Sequence, residues 1–514
     1  MNGSVGWIIV SFVIYLACMI TVGIIYSKKT ANSADYFLGG RSLGGFVAAL
    51  SAQASDMSGW LLMGLPGSVY ALGTGQAWIA IGLFLGTVGN WLFISKRLRR
   101  YTIRANNALT LPTYFENRFH DKKRILLLVS SITIVVFFLV YTASALAAGG
   151  KLFHIVFGVD YELALTIGAV VILVYTFMGG FLAVCTTDFA QGLLMLVGLL
   201  TVPIIAYFFI GAENIMPILE ETNVTGGTSL YMNLMYNHGV PYTFVQILSQ
   251  LAWGLGYCGM PHILVRFMAV KNEKELNKSK GVAIAWVGLS LFAACAIGVI
   301  GRAFLAPVIL EGAEIENVFI TMIIKMFTET LGIPLIGGLF LCGILAAIMS
   351  TADSQLLVSA SSVAEDIYKG IVNRNADDKK VLRMSRYTVV IIAVVAYLIA
   401  LDPNSSIMGL VSNAWSGLGS AFGPIVILSL FWKRTNIAGA VAGIVSGALT
   451  VVIWDYIPFV NGATIGSVTE IYSLLIGFVV SLLMIVIVSV STKAPSSEIL
   501  AEFEDVKMGR VEEV

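Results

Sequence analysis

Charged residues are scarce in this sequence. They make up 12% of the 514 residues, whereas a soluble domain carries about 25%. Hydrophobic residues make up 58%, and the mean hydropathy is +0.88. This composition excludes an ordinary soluble domain and predicts an integral membrane protein. The net charge of +1 gives no argument for a nucleic-acid partner, and no obligatory protein partner is evident.

Cysteine and histidine are also rare. The five cysteines are scattered, mostly within apolar runs and without a CxxC pair, and the four histidines are dispersed. Disulfide frameworks, zinc sites and haem sites all require paired or clustered ligands. The sequence therefore predicts no structural metal and no disulfide. It also lacks a nucleophile constellation, so we expect no enzyme.

Long apolar runs dominate the rest of the chain. About 20 apolar residues, each rising about 1.5 Å, cross the hydrocarbon core of a bilayer. From these runs we predict an all-α protein with about thirteen transmembrane helices. The predicted spans are 5–26, 46–72, 77–95, 125–150, 162–182, 189–211, 243–265, 281–304, 334–361, 387–401, 407–432, 437–457 and 470–491. The shorter stretch 318–330 is predicted to be an extracellular helix over the bundle.

The distribution of basic residues predicts the orientation. With the N-terminus outside, all of the 31 Lys and Arg residues lie in cytoplasmic segments except Lys151, Arg302 and Lys325. Because basic residues concentrate in cytoplasmic loops, this places the C-terminus in the cytoplasm of a multi-pass cell-membrane protein. The first run precedes Lys28 and Lys29, whereas the charge of a signal peptide comes first. We therefore expect a retained helix.

The domain organisation is predicted to be simple. Residues 1–492 form one transmembrane domain, and 493–514 form a short, polar, partly disordered cytoplasmic tail. A channel would show pore-lining rings or a re-entrant filter, which the sequence lacks. A transporter-like sensor would need a kinase or receiver domain after the last span. A transporter is the class that remains.

The second span carries a carboxylate, Asp56, near its middle. Such a group costs about 2.5–3.5 kcal/mol on insertion scales, so it faces water, a cation or protein. Small and hydroxylated residues surround it in the stretch ASDMSG, residues 54–59, and Gly64 and Pro66 follow. Glycine and proline let a helix open and release backbone carbonyls. The alternative is a polar cluster that holds helices together, beside a kink.

The seventh span contains glycines 254, 256 and 259 and Pro261, which predict an interrupted helix. Trp253 and Tyr257 are four residues apart, so on an α-helix they share a face suited to a small, partly apolar ligand. Aromatic packing beside a kink is the alternative. Interrupted spans at the second and seventh positions begin two sets of five, about 46–211 and 243–432. This placement is typical of a transporter site at the membrane midplane.

The ninth span places Ser350 and Thr351 three and four residues after Ala347. Both hydroxyls can therefore lie beside the Ala347 carbonyl on one helix face. Two hydroxyls with the carbonyls of an opened helix would bind a hard cation such as sodium. The alternative is the common bond from a hydroxyl back to the carbonyl of the preceding turn, without an ion.

These three stretches resemble the sodium/solute symporter family, most closely its bacterial proline-transporting members. The matches are SAQASDMSGW at 51–60, WGLGY at 253–257 followed by Pro261 and His262, and Ala347 with MST at 349–351. Similarity runs through essentially all the spans. It implies a leucine-transporter-type 5+5 inverted repeat of helices 2–6 and 7–11, with one helix before and two after.

The resemblance also implies a site. The sodium ligands would be the carbonyls of Ala54, Met57 and Ala347 and the hydroxyls of Ser350 and Thr351, with electrostatic support from Asp56. The solute would lie near Ser58, Gly59, Tyr141, Trp253, Tyr257 and Pro261. For Tyr141, plain packing is the alternative.

Two further residues have family counterparts. Asp188, at the cytoplasmic start of the sixth span, would lie on the sodium exit path, with a helix N-cap as the alternative. Arg41 would act in gating, although an ordinary cytoplasmic charge explains it nearly as well. The implied function is sodium-coupled uptake of L-proline by alternating access. A family symporter for another small solute, such as pantothenate or another amino acid, is the alternative.

Overall fold

The computed structural model describes residues 3–27, 32–177, 180–222 and 224–511, and helices dominate them. Lys28 and Lys29 lie outside the described residues. The α-helices are α1 Gly3–Ser27, α2 Ser33–Leu38, α3 Gly45–Asp56, α4 Leu65–Leu72, α5 Ala77–Gly89, α6 Ser95–Arg104, α7 Leu111–Arg118, α8 Ile125–Phe157, α9 Tyr161–Phe177, α10 Phe181–Ile210, α11 Ala212–Glu221, α12 Thr228–Tyr231, α13 Phe244–Leu251, α14 Pro261–Ala269, α15 Glu273–Leu305, α16 Val318–Ile323, α17 Pro334–Ser361, α18 Asp378–Ile399, α19 Ile407–Phe431, α20 Ile437–Tyr456, α21 Ile465–Thr469, α22 Ser473–Ser491 and α23 Ser497–Met508. The strands are β1 Tyr236–Asn237, β2 Val240–Pro241, β3 Pro458–Val460 and β4 Ala463–Thr464.

Helix occupies each of the predicted spans. Ten helices of the described chain are long and apolar enough to cross a membrane. The other predicted spans correspond to the interrupted pairs α3–α4 and α13–α14 and to the shorter α9. Large apolar side chains such as Phe208 and Phe292 are three-quarters exposed, as expected of a surface that faces hydrocarbon. The interior combines a large apolar core with buried polar groups such as Asp56 and Asp188.

The first interruption lies at residues 57–59. α3 ends at Asp56, Met57 leaves the helical conformation at φ −81° and ψ 76°, and a π-helical turn at Trp60–Gly64 leads into α4. The predicted opening of the second span near Asp56 is confirmed, and it lies before Gly64 and Pro66. Pro66 instead lies within the continuous helix Trp60–Leu72, directly after the π-helical turn, in which the Leu65 N–H bonds to the Trp60 carbonyl.

The second interruption, predicted from glycine and proline, is confirmed. α13 passes into a 3₁₀ segment, Ala252–Gly259, and Met260 is extended before α14 begins at Pro261. A Cβ on Gly254 would lie 2.0 Å from the Gly82 carbonyl oxygen. Glycine is therefore required here because the backbones of α5 and the 3₁₀ segment approach so closely.

The stretch 318–330 is helical, as predicted. It comprises α16 and a π-helical segment, Ile324–Thr330. Just before it, the Glu316 carboxylate accepts hydrogen bonds from the backbone N–H groups of Ile407 and Met408, both at 3.0 Å. Glu316 also pairs with Lys151 at 2.7 Å. These contacts connect the segment before α16 to the start of α19 and to α8.

The tail departs from the prediction of partial disorder over residues 493–511, the part of it that the structure describes. Ser496 caps α23, and Ile499, Phe503 and Val506 are buried, with Phe503 and Val506 in the main core. Glu502 and Asp505 lie 3.8 and 3.7 Å from Arg104 of α6. Ile499, Phe503 and Val506 recur at helical spacing and form an apolar stripe, which the acidic composition of the tail did not indicate.

Candidate functional site

The interruption after α3 releases a carbonyl. In an unbroken helix, the Ala54 carbonyl would accept the N–H of Ser58, but this N–H bonds to the Asp56 carbonyl at 3.0 Å. The hydroxyl of Ser350 donates to the Ala54 carbonyl instead, at 2.8 Å, and Thr351 Oγ1 lies 3.5 Å from the same oxygen. α3 and α17 are therefore in direct polar contact at the predicted sodium position.

Four of the five predicted sodium ligands converge. The Ser350 hydroxyl also lies 3.2 Å from the Ala347 carbonyl, so the carbonyls of Ala54 and Ala347 and the two hydroxyls form one buried group. Met57, the fifth, is the residue at which the helix ends. Such a set of neutral oxygens is what a hard monovalent cation prefers. The bond from Ser350 to Ala347 is the ordinary local one, whereas the contact with Ala54 joins two helices.

Asp56 links this group to the second interruption. Its Oδ2 accepts a hydrogen bond from the Tyr257 hydroxyl at 2.6 Å, and its backbone carbonyl accepts one from Trp60 Nε1 at 2.9 Å. Asp56 is fully buried, and its Oδ1 has no hydrogen-bond partner among the described residues. A buried carboxylate oxygen with free acceptor capacity suits a cation or a polar solute.

The other predicted solute residues lie around the two interruptions. Ser58 and Gly59 are within the first, and a Cβ on Gly59 would lie 2.8 Å from that of Ala148. Tyr141 of α8 is buried, and its ring meets that of His262 edge-on at 6.2 Å. Pro261 begins α14. Neither the Tyr141 hydroxyl nor either ring nitrogen of His262 has a partner in the described chain, so this interior has unused polar groups.

The predicted common face of Trp253 and Tyr257 is wrong. On a 3₁₀ helix, residues four apart point about 120° away from each other, not about 40° as on an α-helix. The Trp253 ring stacks on Tyr472 at 4.7 Å. Tyr257 instead meets Trp415 edge-on at 5.2 Å and bonds to Asp56. The two aromatic side chains therefore contact different residues and do not form one common face.

Asp188 does not begin its helix, and it is not an N-cap. α10 begins at Phe181 after Gly180, so Asp188 lies two turns inside, fully buried. Its Oδ2 accepts hydrogen bonds from Ser51 at 2.7 Å and from Arg266 at 3.1 Å. Arg266 also donates to Ser354 of α17 at 2.6 Å. This cluster therefore joins α3, α10, α14 and α17.

Sequence reasoning missed Arg266 and its role in this cluster. The distribution of basic residues assigns it to a cytoplasmic loop, yet it is 1% exposed. The sequence contained one indication of its burial: Arg266 lies four residues after His262, so the two side chains share one face of the same helix. Only the contacts identify Asp188 as its partner.

Arg41 is not an ordinary surface charge. It is 6% exposed, and its guanidinium donates to the carbonyls of Met268 at 2.5 Å and Ala108 at 2.9 Å, and to the side chain of Asn107 at 2.6 Å. Burial, and then the nearby Arg99, lower the pKa of Arg41 to about 10, so it stays charged at neutral pH. The hydrogen bonds of Arg41 connect the loop before α3 to the end of α14.

A cavity of about 480 Å³, which we call the vestibule, opens at the α13 end of the bundle. Its lining includes Trp253, Tyr472, Ser412, Asp455 and Glu470. Arg266 lies near the far end of the same interrupted element, where the bundle is closed by buried polar contacts. The vestibule therefore lies at the end of the interrupted element opposite the buried Arg266–Asp188 cluster.

Comparisons with known proteins identify a matching family and similar proteins. The model of the sodium:solute symporter family matches residues 36–447. The osmoregulated proline transporter OpuE of Bacillus subtilis (strain 168) is 43% identical over 489 residues, which cover 95% of this chain and 96% of that protein. A sodium/proline symporter of Staphylococcus aureus is 42% identical over 501 residues, which cover 96% of this chain and 94% of that protein.

A solved structure shares the fold. A Na⁺-coupled sialic acid symporter, in a substrate-bound outward-open state, superposes with a TM-score of 0.76 at 20% identity. The match covers 95% of this chain and 99% of that one. The predicted all-α membrane fold of leucine-transporter type is thereby confirmed. The number of thirteen spans stays a prediction.

Proposed function

Because the chain belongs to the sodium:solute symporter family, we propose that it takes up L-proline together with sodium across the cell membrane. The protein is a transporter and not an enzyme, and sodium is its co-transported ion. The observation that carries the proposal is the contact of Ser350 with the released Ala54 carbonyl, beside the Asp56–Tyr257 bond. The names of the two proline-transporting relatives support proline as the solute.

Sodium would bind between α3 and α17. Its ligands would be the carbonyls of Ala54, Met57 and Ala347 and the hydroxyls of Ser350 and Thr351, with the Asp56 carboxylate adding electrostatic attraction. Bound there, the ion would fix residues 57–59, which form the wall of the solute pocket. Each ligand would then raise the affinity for the other by the same factor.

Proline would lie beside the same interruption. Its carboxylate would meet the Ser58 hydroxyl and the backbone N–H of Gly59, where the helix is open. Tyr141 and Pro261 would bound the pocket. Because the Tyr257 hydroxyl is engaged with Asp56, we assign the stacking contact with the proline ring to Trp253 and the ordering of Asp56 to Tyr257.

The direction of transport follows from the proposed orientation. With the N-terminus outside, the vestibule faces the exterior, and the Arg266–Asp188 cluster closes the cytoplasmic side on the sodium exit path. Two repeats, about 46–211 and 243–432, within a single transmembrane domain 1–492, would alternate access to the site. A negative interior adds about 2.3 kcal/mol per charge per 100 mV to the sodium gradient.

Uptake into proteoliposomes tests this function. We expect labelled proline to accumulate only with an inward sodium gradient, and unlabelled proline to compete better than pantothenate or other amino acids. Competition led by another solute would identify a different symporter of the family. Sodium-independent uptake would contradict the proposed ion site.

A further inference from the structure

The connection between α20 and α22 reaches into the vestibule. Its last residue, Tyr472, stacks on Trp253 with ring centroids 4.7 Å apart and planes 18° from parallel. Both rings line the vestibule. Tyr472 lies outside both predicted repeats, immediately before the last long apolar helix. A residue outside the repeats therefore contacts the aromatic side chain to which we assign the solute ring.

Tyr472 is itself held in place by two elements. Its backbone N–H donates to the Ser249 hydroxyl of α13 at 2.6 Å. Its own hydroxyl donates to the Ser412 carbonyl of α19 at 2.7 Å. The backbone of Tyr472 and the hydroxyl of its ring are therefore each held by a hydrogen bond.

The Trp253 indole has one ring partner in the described chain that stacks on its face, Tyr472. It lies in the 3₁₀ segment beside Gly254, and Gly256 follows two residues later. Its carbonyl accepts a hydrogen bond from Trp415 Nε1 at 2.8 Å, which holds the backbone but not the indole ring. Tyr472 covers one face of the indole, and Trp253, although only 6% exposed, also lines the vestibule, where a planar or cyclic group could meet it.

We propose that Tyr472 is a positioning residue for the solute, holding the Trp253 indole ready to stack on a small cyclic zwitterion. The inference rests on the proposed function. A ring that is ordered before binding loses little rotational freedom when the solute arrives. The benefit is largest for a cyclic solute, because an open-chain amino acid has no flat ring surface to match. Tyr472 would therefore contribute to selection of cyclic over open-chain amino acids.

The test compares Tyr472→Leu, which removes the stack, with Tyr472→Phe, which keeps the ring and removes only the hydroxyl. The control is Phe459→Leu in β3, a 68% exposed position in the same connection. We would measure KM and maximal rate for labelled proline at saturating sodium, normalised to the amount of transporter. Competition by a panel of cyclic and open-chain amino acids would be measured in parallel.

For Tyr472→Leu we expect KM for proline to rise about 3- to 10-fold, the magnitude of one aromatic pair. The advantage of cyclic over open-chain competitors should shrink by a similar factor. The half-saturating sodium concentration should stay unchanged, because no contact joins Tyr472 to Ser350 or Thr351. Tyr472→Phe, which keeps the stacked ring but loses the bond to Ser412, should shift KM and competitor order less than Tyr472→Leu does, and Phe459→Leu should behave as wild type.

Two results would overturn this inference and leave the proposed function standing. One is wild-type KM and competitor order in Tyr472→Leu. The other is a lower rate per folded transporter with KM unchanged, which would indicate a merely structural residue. Failure of the wild-type protein to take up proline would overturn the proposed function and this inference together.

Discussion

Asp56 is the residue at which the proposed sodium and solute sites meet. At close range a buried unit charge attracts a cation by an amount on the order of a few kcal/mol. We therefore expect Asp56→Asn to raise the half-saturating sodium concentration for proline uptake by about 10- to 100-fold. Tyr257→Phe, which keeps the carboxylate but removes its 2.6 Å hydrogen bond, should have a smaller effect. Unaltered sodium dependence in Asp56→Asn would remove this residue from coupling.

Thr351 and Trp253 should separate ion binding from solute binding. Thr351→Ala removes one proposed sodium ligand, so the sodium requirement should rise about tenfold while the order of competing solutes is kept. Trp253→Ala should change the order of competing solutes and leave the sodium requirement unchanged. Ser359→Ala, at another buried hydroxyl of α17, is the control. A changed solute order in Thr351→Ala would place that residue in the solute pocket.

Among the elements, the 3₁₀ segment depends on its glycines for packing. A Cβ at position 254 would fall 2.0 Å from a carbonyl oxygen of α5, which requires the backbone to move. We expect Gly254→Ala to lower the melting temperature and to abolish uptake. At Gly89, also in α5, an added methyl group would meet nothing within 4 Å, so Gly89→Ala should melt like wild type. Equal behaviour of the two variants would mean that this close approach is not rigid.

The helix α23 should stay docked on α6 through Phe503, which is 3% exposed. Truncation of a buried phenylalanine costs about 3–5 kcal/mol in a well-packed core. Phe503→Ala should therefore release α23 and speed tryptic cleavage at Lys507 and Arg510, read by mass spectrometry. Met508→Ala, at a 63% exposed position, should leave the cleavage rate unchanged. Rapid cleavage of the wild type would mean that the helix is already undocked.

At the scale of the whole molecule, the basic residues set the proposed orientation. Asn461, in the turn between β3 and β4, should face the exterior, and Lys379, near the start of α18, the cytoplasm. In a Cys18→Ser background, a membrane-impermeant maleimide should label Asn461→Cys in intact cells. It should label Lys379→Cys only in inverted vesicles. The opposite pattern would reverse the orientation and the direction of transport.

Prediction from sequence succeeded where the signal is local. The apolar runs located helix at every predicted span, and glycine with proline marked the interruption before Pro261. It failed where the signal depends on distant residues. Nothing near Asp188 in the sequence points to Arg266, and an α-helical spacing rule misplaced Trp253 relative to Tyr257 because the segment is 3₁₀.

The sequence by itself determined that the chain is a polytopic helical membrane protein with a polar interruption at Asp56 and hydroxyls at Ser350 and Thr351. These properties follow from composition and short-range spacing. They can be predicted from sequence because burying a charge in lipid is costly, so a charged residue within an apolar run indicates a site. The tertiary structure alone decided that Ser350 reaches Ala54, that Asp188 pairs with Arg266, and that Tyr472 covers Trp253. Each contact joins segments far apart in the chain, and only packing brings such segments together.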